Sequence, residues 1–144
     1  MTLDDLLAEG WSLHQDDGFL GHVGPILERR DADRVRLGFI AEAKHSNRAG
    51  FVQGGMLATL ADRTLGLTAR LAEPSRPQAT VELDIKYLDT ARMGDFVSAE
   101  AEVLRETSTL AFLSGRLQAE GRLIASVSGI WRIRPGSSRR PPAP

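Results

Sequence analysis

Three residue types in one short stretch could do chemistry: the amide of Asn47, the glycine pair Gly54 and Gly55, and the carboxylate of Asp62. Glycines at the start of a helix leave backbone N–H groups unshielded. These donors, together with the helix dipole, can hold a developing oxyanion. A carboxylate within an apolar helix is unfavourable unless it has a partner or a catalytic task. The pattern favours a helix terminus that binds an electrophile, combined with a base or nucleophile.

Each of these residues also has a simpler interpretation. The glycine pair could only allow close packing of the helix against a strand, and Asn47 could only shape a turn. Asp62 could pair with Arg63 or Arg70, although Arg63 is its sequence neighbour and points elsewhere on a helix. The three features together favour a site over these separate structural roles.

The elements that must position these residues can be predicted from hydrophobic patterning. Residues 53–71 are apolar around nearly the whole helix circumference, which predicts one long, buried helix. Alternating apolar residues predict strands, which cover 34–40, 80–88, 96–105, 107–118 and 122–133, with a weaker candidate at 21–27. A short helix is predicted over 2–9, with Thr2 as its N-cap. Consecutive strands joined by short turns favour an antiparallel sheet, so we expect an α+β fold in which a sheet wraps one long central helix.

Length and composition narrow the function classes. The chain has 144 residues, and 42% of them are hydrophobic. These values predict one domain over 1–134, followed by a disordered tail rich in Pro, Ser and Arg over 135–144. The net charge of -1 gives no support to nucleic-acid binding. No cysteine is present, and the three histidines show no ligand spacing, so no metal is expected.

Two features of the sequence bear on where the protein is located. The N-terminus lacks the basic start of a secretory signal, and no apolar run could span a membrane. A cytoplasmic location and no membrane partner are therefore expected.

Two segments at a matching separation resemble the hotdog-fold acyl-CoA thioesterases, in particular the phenylacetate-pathway and 4-hydroxybenzoyl-CoA thioesterase group. The first segment carries Asn47, residues 52–55, residues 60–62 and Gly66, and the second runs from Thr80 to Asp95. The resemblance covers about residues 20–134 and implies hydrolysis of an acyl-CoA to a free acid and coenzyme A, without a cofactor. It also implies a homodimer, often a dimer of dimers (a homotetramer), with the active site at the dimer interface.

The resemblance also implies roles for individual residues. The Gly54 N–H would polarise the thioester carbonyl, Asp62 would be the nucleophile or general base, and Asn47 would orient the water or the carbonyl. Gln53 stands where the family usually has His, and it can donate a hydrogen bond but cannot titrate. Thr80 occupies the position of a Ser or Thr whose hydroxyl can hold the attacking water.

The acyl and coenzyme A groups also have candidate contacts. Gly55, Phe51 and Met56 are expected to bind the substrate, with the latter two in an apolar acyl pocket. Arg48 and Arg92 could hold the coenzyme A phosphates.

Two rival functions remain open on the same fold. A non-catalytic acyl-CoA binding or sensor protein is suggested by Gln53 in place of His, although a pure binder has little use for Asp62. An enoyl-CoA hydratase would use an Asp–His pair, for which only His45 lies near the strand–helix junction.

Overall fold

The computed structural model describes residues 1–134, so the predicted disordered tail, 135–144, lies outside the described residues. The helices are α1 (Leu3–Ala8), α2 (Phe19–Val23) and α3 (Gly54–Ala69). The strands are β1 (Ser12–Leu13), β2 (Leu27–Asp31), β3 (Arg34–Ile40), β4 (Gln78–Tyr87), β5 (Phe96–Glu106), β6 (Leu110–Ala119) and β7 (Arg122–Ile133).

The strands form one antiparallel sheet of seven strands in the order β1-β2-β3-β5-β6-β7-β4. The long strand β4 therefore pairs only with β7 and leaves its other edge without a partner strand among the described residues. Exposed N–H and C=O groups along a ten-residue edge are a ready template for pairing with another chain.

Helix α3 packs across one face of this sheet and contacts strands β3 to β7. Apolar residues of the helix, including Leu60 and Leu65, pack into a core with Leu113 and Trp131 of the sheet. Gly66 lets the helix approach closely, because a Cβ atom there would lie 3.1 Å from the indole nitrogen of Trp131. The predicted fold, a sheet around one long helix, is confirmed.

The prediction that α3 is buried on nearly its whole surface is wrong for one stripe. Gly55 is exposed, and Ala58, Thr59 and Asp62 are only half-buried. These four residues follow helical spacing of three and four, so they line one face. We call them the open stripe of α3. The sheet of one chain covers the other faces of the helix and leaves this one accessible.

Most predicted strands are confirmed, with boundary shifts of a few residues. The strand predicted over 21–27 is wrong, because this region forms α2 and β2 starts only at Leu27. Pro25 has no N–H to donate to a sheet, which favours a strand that begins after it. The predicted N-terminal helix is confirmed as α1, where the Thr2 hydroxyl accepts a hydrogen bond from the Asp5 N–H at 3.2 Å.

Strand β4 departs from simple alternation at its start. Its pairing register with β7 shifts between Thr80 and Glu82, so Val81 is an extra residue in a β-bulge. Regular alternation over the predicted strand 80–88 puts Val81 on the same face as Leu83, but Val81 is 58% exposed. Because the bulge absorbs one residue, Thr80 takes the inward position and turns its side chain towards α3.

Candidate active site

The N-terminus of α3 presents two free backbone donors. The N–H groups of Gly54 and Gly55 have no acceptor among residues 1–134, as expected for the first residues of a helix. Gln53 is the N-cap, but its exposed side chain makes no capping hydrogen bond. Its backbone N–H instead donates to the carbonyl of His45 at 2.7 Å. The site predicted at the glycine pair thus has the donors that an oxyanion needs.

Asp62 lies on the open stripe and is held by one hydroxyl. The Thr80 Oγ1 donates to Asp62 Oδ1 at 2.7 Å, so two residues that the sequence nominated separately are in direct contact. The second oxygen, Oδ2, has no partner in the described part of the chain. The carboxylate is therefore oriented at one oxygen and accessible at the other.

The alternative in which Asp62 is a structural partner of Arg63 is wrong. Arg63 donates to Asp16 at 2.6 Å and to the ring of His14 at 3.1 Å, on the side facing the N-terminal segment. The hydrogen bond from Arg63 and one from the Gly18 N–H lower the pKa of Asp16. Arg63 therefore anchors the N-terminal segment to α3 and leaves Asp62 to Thr80.

Asn47 shapes its own loop. Its side-chain Oδ1 accepts hydrogen bonds from the N–H groups of Ala49 at 2.9 Å and Phe51 at 3.1 Å, while its backbone N–H donates to the Phe51 carbonyl. Gly50 completes this turn with a φ of 86°, a conformation that glycine adopts without strain. The Asn47 amide nitrogen has no acceptor among residues 1–134, so only this end of the side chain remains to orient a substrate or water.

His45 is buried beneath the loop, and both of its ring nitrogens are engaged in hydrogen bonds. It is 3% exposed and packs edge-on against Phe39. Its Nδ1 accepts from the Glu42 N–H at 2.9 Å, so the proton resides on Nε2, which donates to the Val23 carbonyl. Both ring nitrogens are engaged, and a hydratase-like Asp–His pair has no histidine available at this loop.

The residues predicted to contact the acyl group and the coenzyme A phosphates lie in the loop before α3, in α3 itself and in the loop after β4. Phe51 is half-buried and forms an isolated β-bridge with Arg92, while Met56 is 6% exposed within the core. Arg48 and Arg92 are exposed. The acyl-pocket and phosphate roles of these residues stay predictions.

Tyr87 belongs to this site, although sequence patterning placed it only on a strand face. Its hydroxyl donates to the Gly54 carbonyl at 2.8 Å, and its ring lies against the Gly54 backbone. No sequence motif pointed to this contact, because it depends on where β4 ends relative to the start of α3.

The helix start at Gly54 and the carboxylate of Asp62 are separated within one chain. Asp62 follows Gly54 by eight residues. In a helix that rises 1.5 Å per residue, this spacing corresponds to about 12 Å. The Gly54 N–H and the Asp62 carboxylate of one helix are therefore too far apart to contact the same small group.

Within the described residues, no group of three or more His, Asp or Glu side chains is arranged to hold a metal ion. None of the helices described over 1–134 has the length and apolarity needed to cross a membrane.

A seven-stranded antiparallel sheet packed on one long helix is the architecture of a hotdog-fold protein. The family model of the thioesterase superfamily matches residues 49–125, just over half of the chain. The chain belongs to the thioesterase superfamily, and family membership makes it a thioester hydrolase.

Individual relatives agree with this placement. A Pseudomonas aeruginosa protein provisionally named an esterase (PA0474) is 35% identical over 130 residues, covering 88% of this chain and 97% of that protein. Human acyl-coenzyme A thioesterase 13 is 36% identical over 86 residues, covering 58% of this chain and 61% of the human protein. The crystal structure of zebrafish thioesterase superfamily member 2 superimposes with a TM-score of 0.75 at 29% identity, covering 83% of this chain and 88% of that one.

Proposed function

We propose that this protein is an acyl-CoA thioesterase that hydrolyses an acyl-CoA to the free acid and coenzyme A at sites shared between two subunits. The observation that carries the proposal is a pair of features on α3: free N–H groups at Gly54 and Gly55, and the Thr80-bound carboxylate of Asp62. The eight-residue spacing places these features about 12 Å apart along one helix. The name of the human relative, an acyl-coenzyme A thioesterase, supports the substrate class.

The unpaired edge of β4 supports the shared site. If two copies pair along this edge around a two-fold axis, their α3 helices run antiparallel and side by side. The helix start of one copy then lies beside the middle of the partner helix, where Asp62 sits. The open stripe, left uncovered by its own sheet, would face the partner helix in this arrangement. We infer a homodimer as the catalytic unit; its assembly into a dimer of dimers and its cytoplasmic location stay predictions.

The chemistry follows from these groups. The N–H groups of Gly54 and Gly55 stabilise the negative charge that develops on the thioester oxygen when the carbonyl carbon is attacked. The Asp62 carboxylate of the other copy either removes a proton from the attacking water or attacks the carbon itself to form an anhydride that water then opens. In both routes the C–S bond breaks, coenzyme A leaves as the thiolate, and one water is consumed for each acid released.

Thiol release from acyl-CoAs of short, long and aromatic acyl groups tests the activity. We expect turnover by the parent and a loss of about 10²–10⁴-fold in kcat for Asp62→Asn, the range typical of a lost catalytic base. Asp31→Asn, at the exposed end of β2, is the matched control and should keep the parental rate. Equal rates for Asp62→Asn and the parent on every thioester would contradict the role of Asp62. Tight acyl-CoA binding without thiol release would favour the sensor function.

Mixed dimers test whether the site is shared. Gly54→Pro removes one N–H donor, and Asp62→Asn removes the acid, so each variant alone should be inactive. Unfolding and refolding the two together gives mixed dimers with one intact site, which restores about a quarter of the parental activity for random pairing of two-fold dimers. No restoration would place both groups of one site in a single chain.

A further inference from the structure

Tyr87 ends strand β4 directly beside the proposed oxyanion donors. Its hydroxyl donates to the Gly54 carbonyl at 2.8 Å, and its side chain is 51% exposed. It is the only tyrosine in the chain. The inference drawn from it rests on the proposed thioesterase function, because it concerns the same helix terminus.

The ring of Tyr87 accounts for the glycine at position 54. A Cβ atom at Gly54 would lie 3.2 Å from both Cζ and Oη of Tyr87, which is tighter than ordinary van der Waals contact. By contrast, the nearest atom to a Cβ at Gly55 would be 3.9 Å away, in the Gln53 side chain. The first glycine therefore makes room for the tyrosine, whereas the second leaves the helix start open.

The Tyr87 hydroxyl is bonded to the Gly54 carbonyl, but it orients the N–H of the next residue, Gly55. The Gly54 carbonyl and the Gly55 N–H belong to the same planar peptide group, so fixing the oxygen fixes the direction of the N–H. A hydrogen bond donated to a carbonyl also polarises the peptide and strengthens the N–H on its other side. Gly55 is exposed, and its N–H has no acceptor among the described residues.

We propose that Tyr87 is a positioning residue, whose hydroxyl aims and polarises the Gly55 N–H as an oxyanion donor in the reaction. Packing alone would be served equally well by phenylalanine, because the ring makes the contact with Gly54 and the exposed hydroxyl end could otherwise hydrogen-bond to water. The hydroxyl bonds to the carbonyl of the peptide group that carries the Gly55 N–H, one of the two proposed oxyanion donors.

Tyr87→Phe isolates the hydroxyl from the ring. We expect kcat to fall about fivefold with KM unchanged, because one ordinary hydrogen bond is lost from a group that acts in the transition state. The melting temperature should fall by no more than a few degrees, the effect of losing one half-exposed hydrogen bond. Leu123→Ala, an exposed β7 residue that is 46% accessible, is the matched control and should keep the parental kcat.

The Gly55 amide signal in a two-dimensional ¹H–¹⁵N NMR spectrum gives a second readout that needs no turnover. In Tyr87→Phe this signal should shift, and in Leu123→Ala it should stay in place. An unshifted Gly55 signal, or an unchanged kcat in an active parent, would overturn the assignment of Tyr87. A parent that hydrolyses no thioester, combined with a shifted Gly55 signal, would count against the proposed function and leave the control of this peptide by Tyr87 intact.

Discussion

At Thr80, a single hydroxyl orients the proposed catalytic acid. It donates to Asp62 at 2.7 Å, and a hydrogen bond to a charged group is stronger than one between neutral groups. We expect Thr80→Val, which keeps the shape of the side chain, to lower kcat by about 10–100-fold, the range for losing such a bond. Steady-state thiol release from the best acyl-CoA measures this effect.

Thr80→Ser is the control, since it keeps the hydroxyl and removes only a methyl group. It should stay within about threefold of the parental kcat, as a variant that retains the same hydrogen bond. Comparable losses in the valine and serine variants would assign Thr80 to strand packing and leave Asp62 without its orienting partner.

Glu28 is expected to make the stability of the fold decrease at acidic pH. Burial raises the pKa of Glu28, but hydrogen bonds from His14 and Arg30 outweigh this effect, so the pKa lies below the ordinary value of 4.5. A carboxyl with a lowered folded-state pKa stabilises the fold above the unfolded-state pKa, and this contribution is lost as pH falls through the folded-state pKa. We therefore expect Glu28→Gln to be about 1 kcal/mol less stable than the parent at pH 7, a modest loss because solvent partly screens these contacts.

Urea unfolding at several pH values measures this difference. The gap between Glu28→Gln and the parent should narrow as the pH drops below 4.5. Asp31→Asn is the comparison, because within residues 1–134 the Asp31 side chain makes only an exposed ion pair with Arg36 at 3.7 Å, and such pairs contribute little. A gap that stays constant with pH would mean that Glu28 acts through packing and not through its charge.

At the scale of elements, the bulge in β4 decides which side chains face α3. Val81 is 58% exposed, whereas Leu83 packs against the core. We expect Val81→Ser to change the free energy of unfolding by less than about 0.5 kcal/mol, as exposed substitutions do. Leu83→Ser should cost about 2–3 kcal/mol, because it removes buried apolar atoms. Chemical denaturation measures the free energy of unfolding of both variants. Similar losses in the two would indicate that Val81 is as buried as Leu83, as regular alternation predicts.

The bulge also marks a feature of the strands that hydrophobic patterning cannot predict. Hydrophobic periodicity located α3, β3 and β7 closely, because their patterns are long and strongly biased. A bulge adds one residue without changing composition, so period-two counting puts Val81 on the same face as Leu83 and cannot bring Thr80 to Asp62. The resemblance nominated Thr80 by position, and the register of β4 against β7 supplies the physical reason.

At the scale of the whole molecule, residue patterning identifies the proposed reactive groups, whereas only the family resemblance places their site at a dimer interface. Asp62 and Gly54 stand close in sequence, which suggests one site, but the rise of the helix separates them. The contact of Tyr87 with Gly54 could not be predicted for a similar reason, since it joins residues 33 positions apart. Distances along a chain predict local elements well, whereas a site built across an edge strand depends on a partner surface.

For the proposed dimer, the geometry of α3 and β4 predicts how two copies meet. In the proposed site, Thr80 contacts the acid and Tyr87 lies beside the backbone donors. To bring Tyr87 of one copy beside Thr80 of the other, with Val81 bulged out, two antiparallel β4 edges must pair around Asp84. In this register Leu83 lies opposite Ile85 on the helix side, and Glu82 lies opposite Lys86 on the outer side. These two pairings are favourable, one apolar and one between opposite charges, whereas Asp84 of one copy lies opposite Asp84 of the other, a like-charge pair beside which each chain holds Lys86 at 2.9 Å.

The opposite charges of Glu82 and Lys86 provide a direct test of this register. Lys86→Glu removes the ion pair with Asp84 at 2.9 Å and places only acids on the outer face of both edges. It should weaken dimerisation about tenfold, because two like-charge contacts of up to about 1 kcal/mol each replace two attractive ones. Adding Glu82→Lys exchanges the two charges and should restore dimerisation and turnover together. Analytical ultracentrifugation at low and high salt measures the effect, which should shrink as salt screens exposed charges. A double variant weaker than Lys86→Glu would exclude pairing around Asp84 and move the two-fold axis elsewhere along β4.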